Sequence, residues 1–195
     1  SAKRIMLSFD EWNVWYKATD ADGHWTRAPH LIEEVYNLED ALVCAQYLNA
    51  FIRRPDVVKI ACIAQLVNII APLLTRRDGL LVQSTYYPFV VMAGLARGRS
   101  LTPVLDCPTY NAGERGEAPV LDVSASLADD GTLAVFAVNR CETEPVSVHV
   151  HLADAIVRSV RKVTALTGPG PKAANSWEEP SLIVPSAGSG TATDD

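Results

Sequence analysis

The spacing of apolar positions along the chain changes once, near residue 100. Before that point, short apolar runs alternate with segments whose apolar residues recur every three to four positions. Residues 4–9 (RIMLSF) form one such run, the mark of a strand covered on both faces. Residues 17–30 read as a polar loop punctuated by Gly and Pro. From Leu38 onward, Leu42, Val43, Ala45, Leu48 and Phe51 fall near helical spacing. That helix is expected to stop before Pro55, which has no amide proton and disfavours helix in the residue before it. Residues 57–67 (VVKIACIAQLV) open as a second strand, and 85–98 as a second helix with Arg97 in its last turn and Gly98 as the stop. Strand, helix, strand, helix is the pattern of a parallel α/β fold.

After residue 100 the period shortens to two. Residues 118–127, 132–140 and 145–152 alternate apolar and polar positions, and 157–166 continue the pattern. ADDG and CETE between them are good turn material. Several short strands at regular spacing predict an antiparallel β-sandwich. From Gly168 the composition turns to Pro, Gly, Ser and Ala, which suggests a loosely held tail. The expected division is therefore an α/β part over 1–100 and a β-sandwich over 101–195, with no internal repeat.

Composition narrows the partners. With 195 residues, 48% hydrophobic, 21% charged and a net charge of -6, the chain is of ordinary globular make-up. A mildly acidic surface argues against nucleic acid and anionic membrane, both of which need concentrated basic charge. The pairs Arg53-Arg54 and Arg76-Arg77 read as solvated charge. No stretch is apolar enough to span a bilayer, and SAKRIMLSF lacks the apolar core of a signal peptide, so a cytoplasmic location is expected. The 4 cysteines are widely spaced without a CxxC. Cys44 and Cys62 fall in apolar runs and read as buried thiols, although widely spaced disulfides stay open. His149 and His151 share a strand face, yet no third ligand lies near them in sequence, so neither metal nor cofactor is expected.

Candidate chemistry concentrates in FDEWNVWY, residues 9–16, where Asp10 and Glu11 end an apolar run and Trp12, Trp15 and Tyr16 crowd around them. Parallel barrels keep their catalytic groups at the C-terminal ends of strands, and Glu11 closes such a strand. Alternation sends Asp10 and Glu11 to opposite faces; if Phe9 and Glu11 face a barrel axis, Asp10 faces helices or a loop. Sugars pack their C–H faces on Trp and Tyr rings, while carboxylates bond their hydroxyls or attack the anomeric carbon. An Asp-Glu pair that caps a helix or binds an arginine, with the Trp residues in a core, fits the same spacing.

The string KRIMLSFDEWNVWY resembles the segment around the nucleophile of glycoside hydrolase family 51 α-L-arabinofuranosidases. LEDALVCAQYLNAFIRRPDVVKIACIAQLVNIIAPLLT resembles the same family's last barrel helix and strand. STYYPFVVMAGLARG, LDVSAS and LAVFAVNR resemble its final helix and C-terminal sandwich. The resemblance implies the last two βα units of a (β/α)8 barrel followed by a jelly-roll-like β-sandwich. It implies Glu11 as nucleophile at the end of the seventh barrel strand, Gln65 bonding the arabinose from the end of the eighth, and Trp15 on the leaving-group side. Cys62 and Asn68 then supply packing and support around Gln65.

The implied chemistry is double displacement with retention on terminal α-L-arabinofuranosyl units of arabinan, arabinoxylan or short oligosaccharides. Glu11 must be ionised to attack, so donors are expected around it. In that family the acid/base glutamate belongs to an Asn-Glu pair on the fourth barrel strand, for which these 195 residues hold no counterpart. Glu33, Glu34 and Glu39 suit a loop and a helix start instead. The chain alone is therefore expected to hydrolyse nothing, and a homo-hexamer is expected only of the intact enzyme. Two other readings compete. A non-catalytic carbohydrate-binding sandwich would need an exposed aromatic platform on strands that hold mostly Val, Ala, Ser and His. A related retaining endoglycanase would share the strand-end glutamate, but the DEWNVWY and AQLVN strings favour arabinofuranose.

Overall fold

The computed structural model describes residues 3–16, 27 and 32–192, so the polar loop expected at 17–30 lies outside the described residues except for Arg27. β1 (Leu7–Trp12) and β2 (Val58–Ile63) pair in parallel, connected through α1 (Leu38–Arg53). Pairing, not hydropathy, sets where β1 begins: Leu7 N donates to Val57 O at 2.9 Å, and the ladder starts there rather than at residue 4.

α1 forms where its spacing predicts. Asn37 and Asp40 close a capping box, Asp40 N to Asn37 Oδ1 at 3.1 Å and Asn37 N to Asp40 Oδ2 at 2.8 Å. Glu39 and Asp40 in the first turn and Arg53 in the last suit the helix dipole, and the helix ends just before Pro55.

Beyond β2, a hairpin of β3 (Leu73–Arg76) and β4 (Gly79–Val82) precedes α2 (Tyr86–Leu95). The polar TRRDG stretch between two apolar pairs, LLTRRDGLLV, turns the chain here, a hairpin that the strand-then-helix pattern leaves out. β5 (Arg99–Leu101) leads into a second hairpin, β6 (Thr109–Asn111) and β7 (Glu117–Pro119). β8 (Leu121–Leu127) and β9 (Leu133–Asn139) lie within their predicted ranges and form a three-stranded antiparallel sheet with β5, in the order β5-β8-β9.

The rest of the predicted sandwich differs. Residues 145–163 hold no strand, and 157–166 contribute only β10 (Thr164–Leu166), which pairs with β11 (Pro185–Ala187). Of the four apolar positions in the 145–152 alternation, Val148 and Val150 are 46% and 48% exposed, while Val146 and Leu152 are half-buried. The alternation is thus only partly covered, and no neighbouring strand pairs with it among the described residues. The Gly- and Pro-rich stretch after Gly168, expected from composition to be loosely held, supplies β11 and a fully buried Ile183. Buried Asn175 helps hold the stretch, donating to Val82 O at 2.9 Å and Ile183 O at 3.0 Å and accepting from Ile183 N at 2.7 Å. So do the Pro171 and Ala173 carbonyls, which accept from Glu39 N and Leu38 N.

One apolar cluster joins both halves of the chain. Trp12 of β1, Cys44, Ala45 and Leu48 of α1, Met92 of α2, and Phe136 and Val138 of β9 pack together. Phe51 meets Trp12 and Phe9, both with ring centroids 5.2 Å apart, and each such pair adds about 0.5–1.5 kcal/mol beyond burial.

A polar pin crosses the same seam. Asp122 of β8 is 4% exposed and pairs with Arg53 of α1 and with Arg140 at 3.4 Å. Asn49 Nδ2 donates to Asp122 O at 3.1 Å, and Ser124 Oγ donates to Asn49 Oδ1 at 2.6 Å. Arg53 is thus a bridging residue rather than solvated charge. Arg76 is likewise engaged, stacked over Trp177 with its guanidinium carbon 4.4 Å from the ring centre.

Candidate active site

Asp10 and Glu11 lie in a β-bulge. Phe9 pairs with Ala61 and Trp12 with Ile63, so β1 takes three steps where β2 takes two, and the extra residue falls at the carboxylate pair. Bulges break strict alternation and re-aim side chains. Phe9 and Trp12 both reach Phe51 of α1, so the condition that Phe9 faces a barrel axis does not hold. Asp10 and Glu11 are both exposed. Among the described residues no hydrogen bond or ion pair reaches the Glu11 carboxylate, so the donors expected around it are not supplied by these residues.

Gln65 follows β2 on the neighbouring strand. Ala64 N donates to Trp12 O at 3.0 Å, which extends the parallel ladder past β2, and Gln65 N donates to Ile70 O at 3.0 Å. Glu11 and Gln65 therefore stand at the C-terminal ends of adjacent parallel strands, both exposed. This matches the placement expected from the sequence.

The segment leaving β1 is fixed residue by residue. Asn13 donates to Ala64 O at 2.8 Å and to Ile70 O at 2.5 Å. Val14 O accepts from Tyr36 Oη at 2.8 Å, and Tyr16 Oη donates to Asp40. Burial, then the Asp40 hydrogen bond and charge, push the Tyr16 hydroxyl up to about 12, so it remains a donor at neutral pH. Between these anchors Trp15 is 65% exposed, a large aromatic face on a backbone held at both sides.

Buried Gln83 secures the support behind this segment. It accepts from Tyr36 N at 2.9 Å and donates to Glu34 O at 2.9 Å and Ala71 O at 2.7 Å. The sequence reading passes over Asn13 and Gln83. A lone Gln ending the apolar GLLV run and an Asn just after a strand are the available signals, because a buried amide there must find partners.

The other singled-out residues divide. Cys62 is exposed, not buried, since its face of β2 has no cover among the described residues. All four cysteines are free, and Cys44 is buried, its thiol pushed up to about 12 chiefly by burial. Asn68 braces the hairpin, accepting from Thr75 N at 2.7 Å and donating to Thr75 Oγ1 at 3.0 Å. Glu39 pairs with Lys172 across the start of α1, while Glu34 is held above the usual carboxylate range mainly by desolvation. Among the described residues no three His, Cys, Asp or Glu side chains converge as a metal set, and no helix is long and apolar enough to cross a membrane.

Residues 10–195 match the family model described as the α-L-arabinofuranosidase C-terminal domain. The intracellular exo-α-(1→5)-L-arabinofuranosidase of Streptomyces lividans is 40% identical over 100% of this chain, which spans 30% of that enzyme. The exo-α-(1→6)-L-arabinofuranosidase of Bifidobacterium longum is 36% identical over 92% of the chain and 36% of its own length. Among solved structures, a family 51 α-L-arabinofuranosidase from Bifidobacterium longum superposes on 95% of this chain and 38% of its own, with a TM-score of 0.83 and 32% identity. The family 51 arabinofuranosidase from Xanthomonas axonopodis pv. citri gives a TM-score of 0.82 at 26% identity, over 97% of this chain and 37% of that one. The chain thus spans about a third of the relatives it resembles.

Proposed function

The chain belongs to the α-L-arabinofuranosidase C-terminal domain family, and from that premise we propose that it forms the C-terminal third of a retaining exo-acting α-L-arabinofuranosidase. Glu11 attacks the anomeric carbon of a terminal α-L-arabinofuranosyl unit, Gln65 hydrogen-bonds that sugar, and Trp15 borders the leaving group. One observation supports this most: β1 and β2 are adjacent and parallel, with Glu11 and Gln65 exposed at the same end. Residues 1–100 then belong to the end of a (β/α)8 barrel, with β1 and β2 as its seventh and eighth strands, and 101–195 to a β-sandwich domain. Ile5, Ile60 and Leu66, all exposed, would be covered once the barrel closes. The naming of two relatives as intracellular supports a cytoplasmic enzyme acting on arabinofuranosyl oligosaccharides. Assembly as a homo-oligomer belongs to the same reading.

Retention requires a second carboxyl about 5 Å from Glu11, to protonate the leaving oxygen and then activate water. On this reading a more N-terminal barrel strand provides it. The 195-residue chain is accordingly expected to show no turnover of an aryl α-L-arabinofuranoside. General acid help alone is worth roughly 10²–10⁴ in rate, and the remaining pocket groups supply positioning as well. The complete protein should release L-arabinose with retained configuration, followed by NMR of the first-formed anomer. Turnover by the 195-residue chain that Glu11→Ala abolishes would contradict the incomplete-site account. Cleavage by the complete protein only at internal glucan or xylan bonds would favour an endoglycanase instead.

A further inference from the structure

Asn13 leaves β1 just after the Glu11-Trp12 pair, and its side-chain amide has two N–H groups and one oxygen with two lone pairs. All are engaged. Nδ2 donates to Ala64 O at 2.8 Å and to Ile70 O at 2.5 Å, while Oδ1 accepts from Val14 N at 2.8 Å and faces Cys44 Sγ at 3.7 Å. The two carbonyls bracket Gln65. The Ala64 carbonyl belongs to the peptide bond that Gln65 shares, and the Ile70 oxygen also accepts the Gln65 N–H at 3.0 Å. One side chain on the exit from β1 thus grips both ends of the loop that presents Gln65. Packing does little there: Gln65, Leu66 and Val67 are all exposed, and apolar anchoring returns at half-buried Ile69 and buried Ile70.

We infer that Asn13 is a positioning residue that fixes Gln65 relative to Glu11, an inference that rests on the sugar-binding reading of Gln65 given above. A polar group that must meet a sugar hydroxyl in the transition state has to be held to within fractions of an ångström. Here the hydrogen bonds of Asn13 hold it. Cys44 helps fix the amide orientation, because its buried thiol stays protonated at neutral pH and leaves Oδ1 an acceptor.

The test compares Asn13→Ala, the isosteric Asn13→Asp, Gln65→Ala and the double variant Asn13→Ala/Gln65→Ala in the complete protein. Each is assayed for kcat/KM on an aryl α-L-arabinofuranoside. Asn13→Asp keeps the side-chain volume but loses both donors, so it stands in if Asn13→Ala does not fold. Both Asn13 variants are expected to lose about 10- to 100-fold in kcat/KM. Asn13→Ala should add nothing once Gln65 is gone, a dependence that a merely structural role would not show. Wild-type kinetics in Asn13→Asp, or losses that multiply in the double variant, would overturn the inference.

Amide hydrogen exchange on the complete protein reads the clamp without reference to activity. Loss of protection at the Gln65 N–H in Asn13→Asp supports the clamp, and unchanged protection overturns it. If Gln65→Ala keeps wild-type kinetics, the sugar-binding role falls and takes the catalytic half of the inference with it; the exchange result still shows whether the clamp exists.

Discussion

Glu11→Gln in the complete protein is expected to lower kcat for arabinofuranoside hydrolysis by about 10⁴-fold or more while leaving the melting temperature unchanged. The two halves of that expectation have separate causes. A retaining hydrolase cannot form its glycosyl-enzyme without the attacking carboxylate, and an amide is no substitute. The fold, by contrast, asks nothing of this side chain. Glu11 is exposed, lies in a bulge, and among the described residues has no hydrogen bond or ion pair to lose. Substitutions at such positions usually stay within about 0.5 kcal/mol. Asp10→Asn shares the bulge and the exposure but not the proposed role, so it should keep far more activity. Equal losses at both positions would assign the chemistry to the pair rather than to Glu11.

Asp122→Ala should produce the opposite signature, a large loss of stability with no direct chemical role. Its carboxylate is almost fully buried between Arg53 and Arg140. Removing it takes the shared carboxylate from Arg53 and Arg140 at the seam between α1 and β8. The expected cost is about 2–4 kcal/mol, below that of breaking a wholly buried pair because Arg53 keeps about a third of its side-chain surface in water. Urea unfolding should show a lower midpoint with an unchanged slope. An unchanged midpoint would mean that the apolar cluster around Trp12 and Phe136 holds the seam alone.

The parts of the fold that local pattern determines were legible in the sequence. α1 has both its amphipathic spacing and its Asn37–Asp40 capping box within a single segment. The strand-end position of Glu11 and the adjacency of the Gln65 strand also followed, through the family resemblance of the strings that hold them. What failed depended on partners distant in sequence. The bulge at Asp10 and Glu11 exists only relative to the register of β2, so alternation counted along β1 does not fix which way these side chains face. The strands expected at 145–152 and 157–166 have the right period, but no strand pairs with the first and only Thr164–Leu166 of the second finds a partner. Periodicity shows which face a segment can bury, not whether another element arrives to cover it. Arg53 read as solvated because its partner Asp122 is far along the chain. The order of the C-terminal stretch comes from contacts with distant segments, among them the buried amide of Asn175 and backbone bonds from Ala173 and Pro171 to the start of α1.

The central claim, that Glu11 is the nucleophile, is tested most directly by trapping the covalent intermediate. The complete protein would be treated with a 2-deoxy-2-fluoro-α-L-arabinofuranosyl donor bearing an activated leaving group, then digested and mapped by mass spectrometry. A fluorine at C2 slows both steps, and the good leaving group keeps the first one faster, so the glycosyl-enzyme accumulates. The account predicts one fluoroarabinosyl adduct, on Glu11 in the peptide containing FDEWNVWY, and none in Glu11→Gln. An adduct on Asp10 or on any carboxylate outside this segment would contradict it.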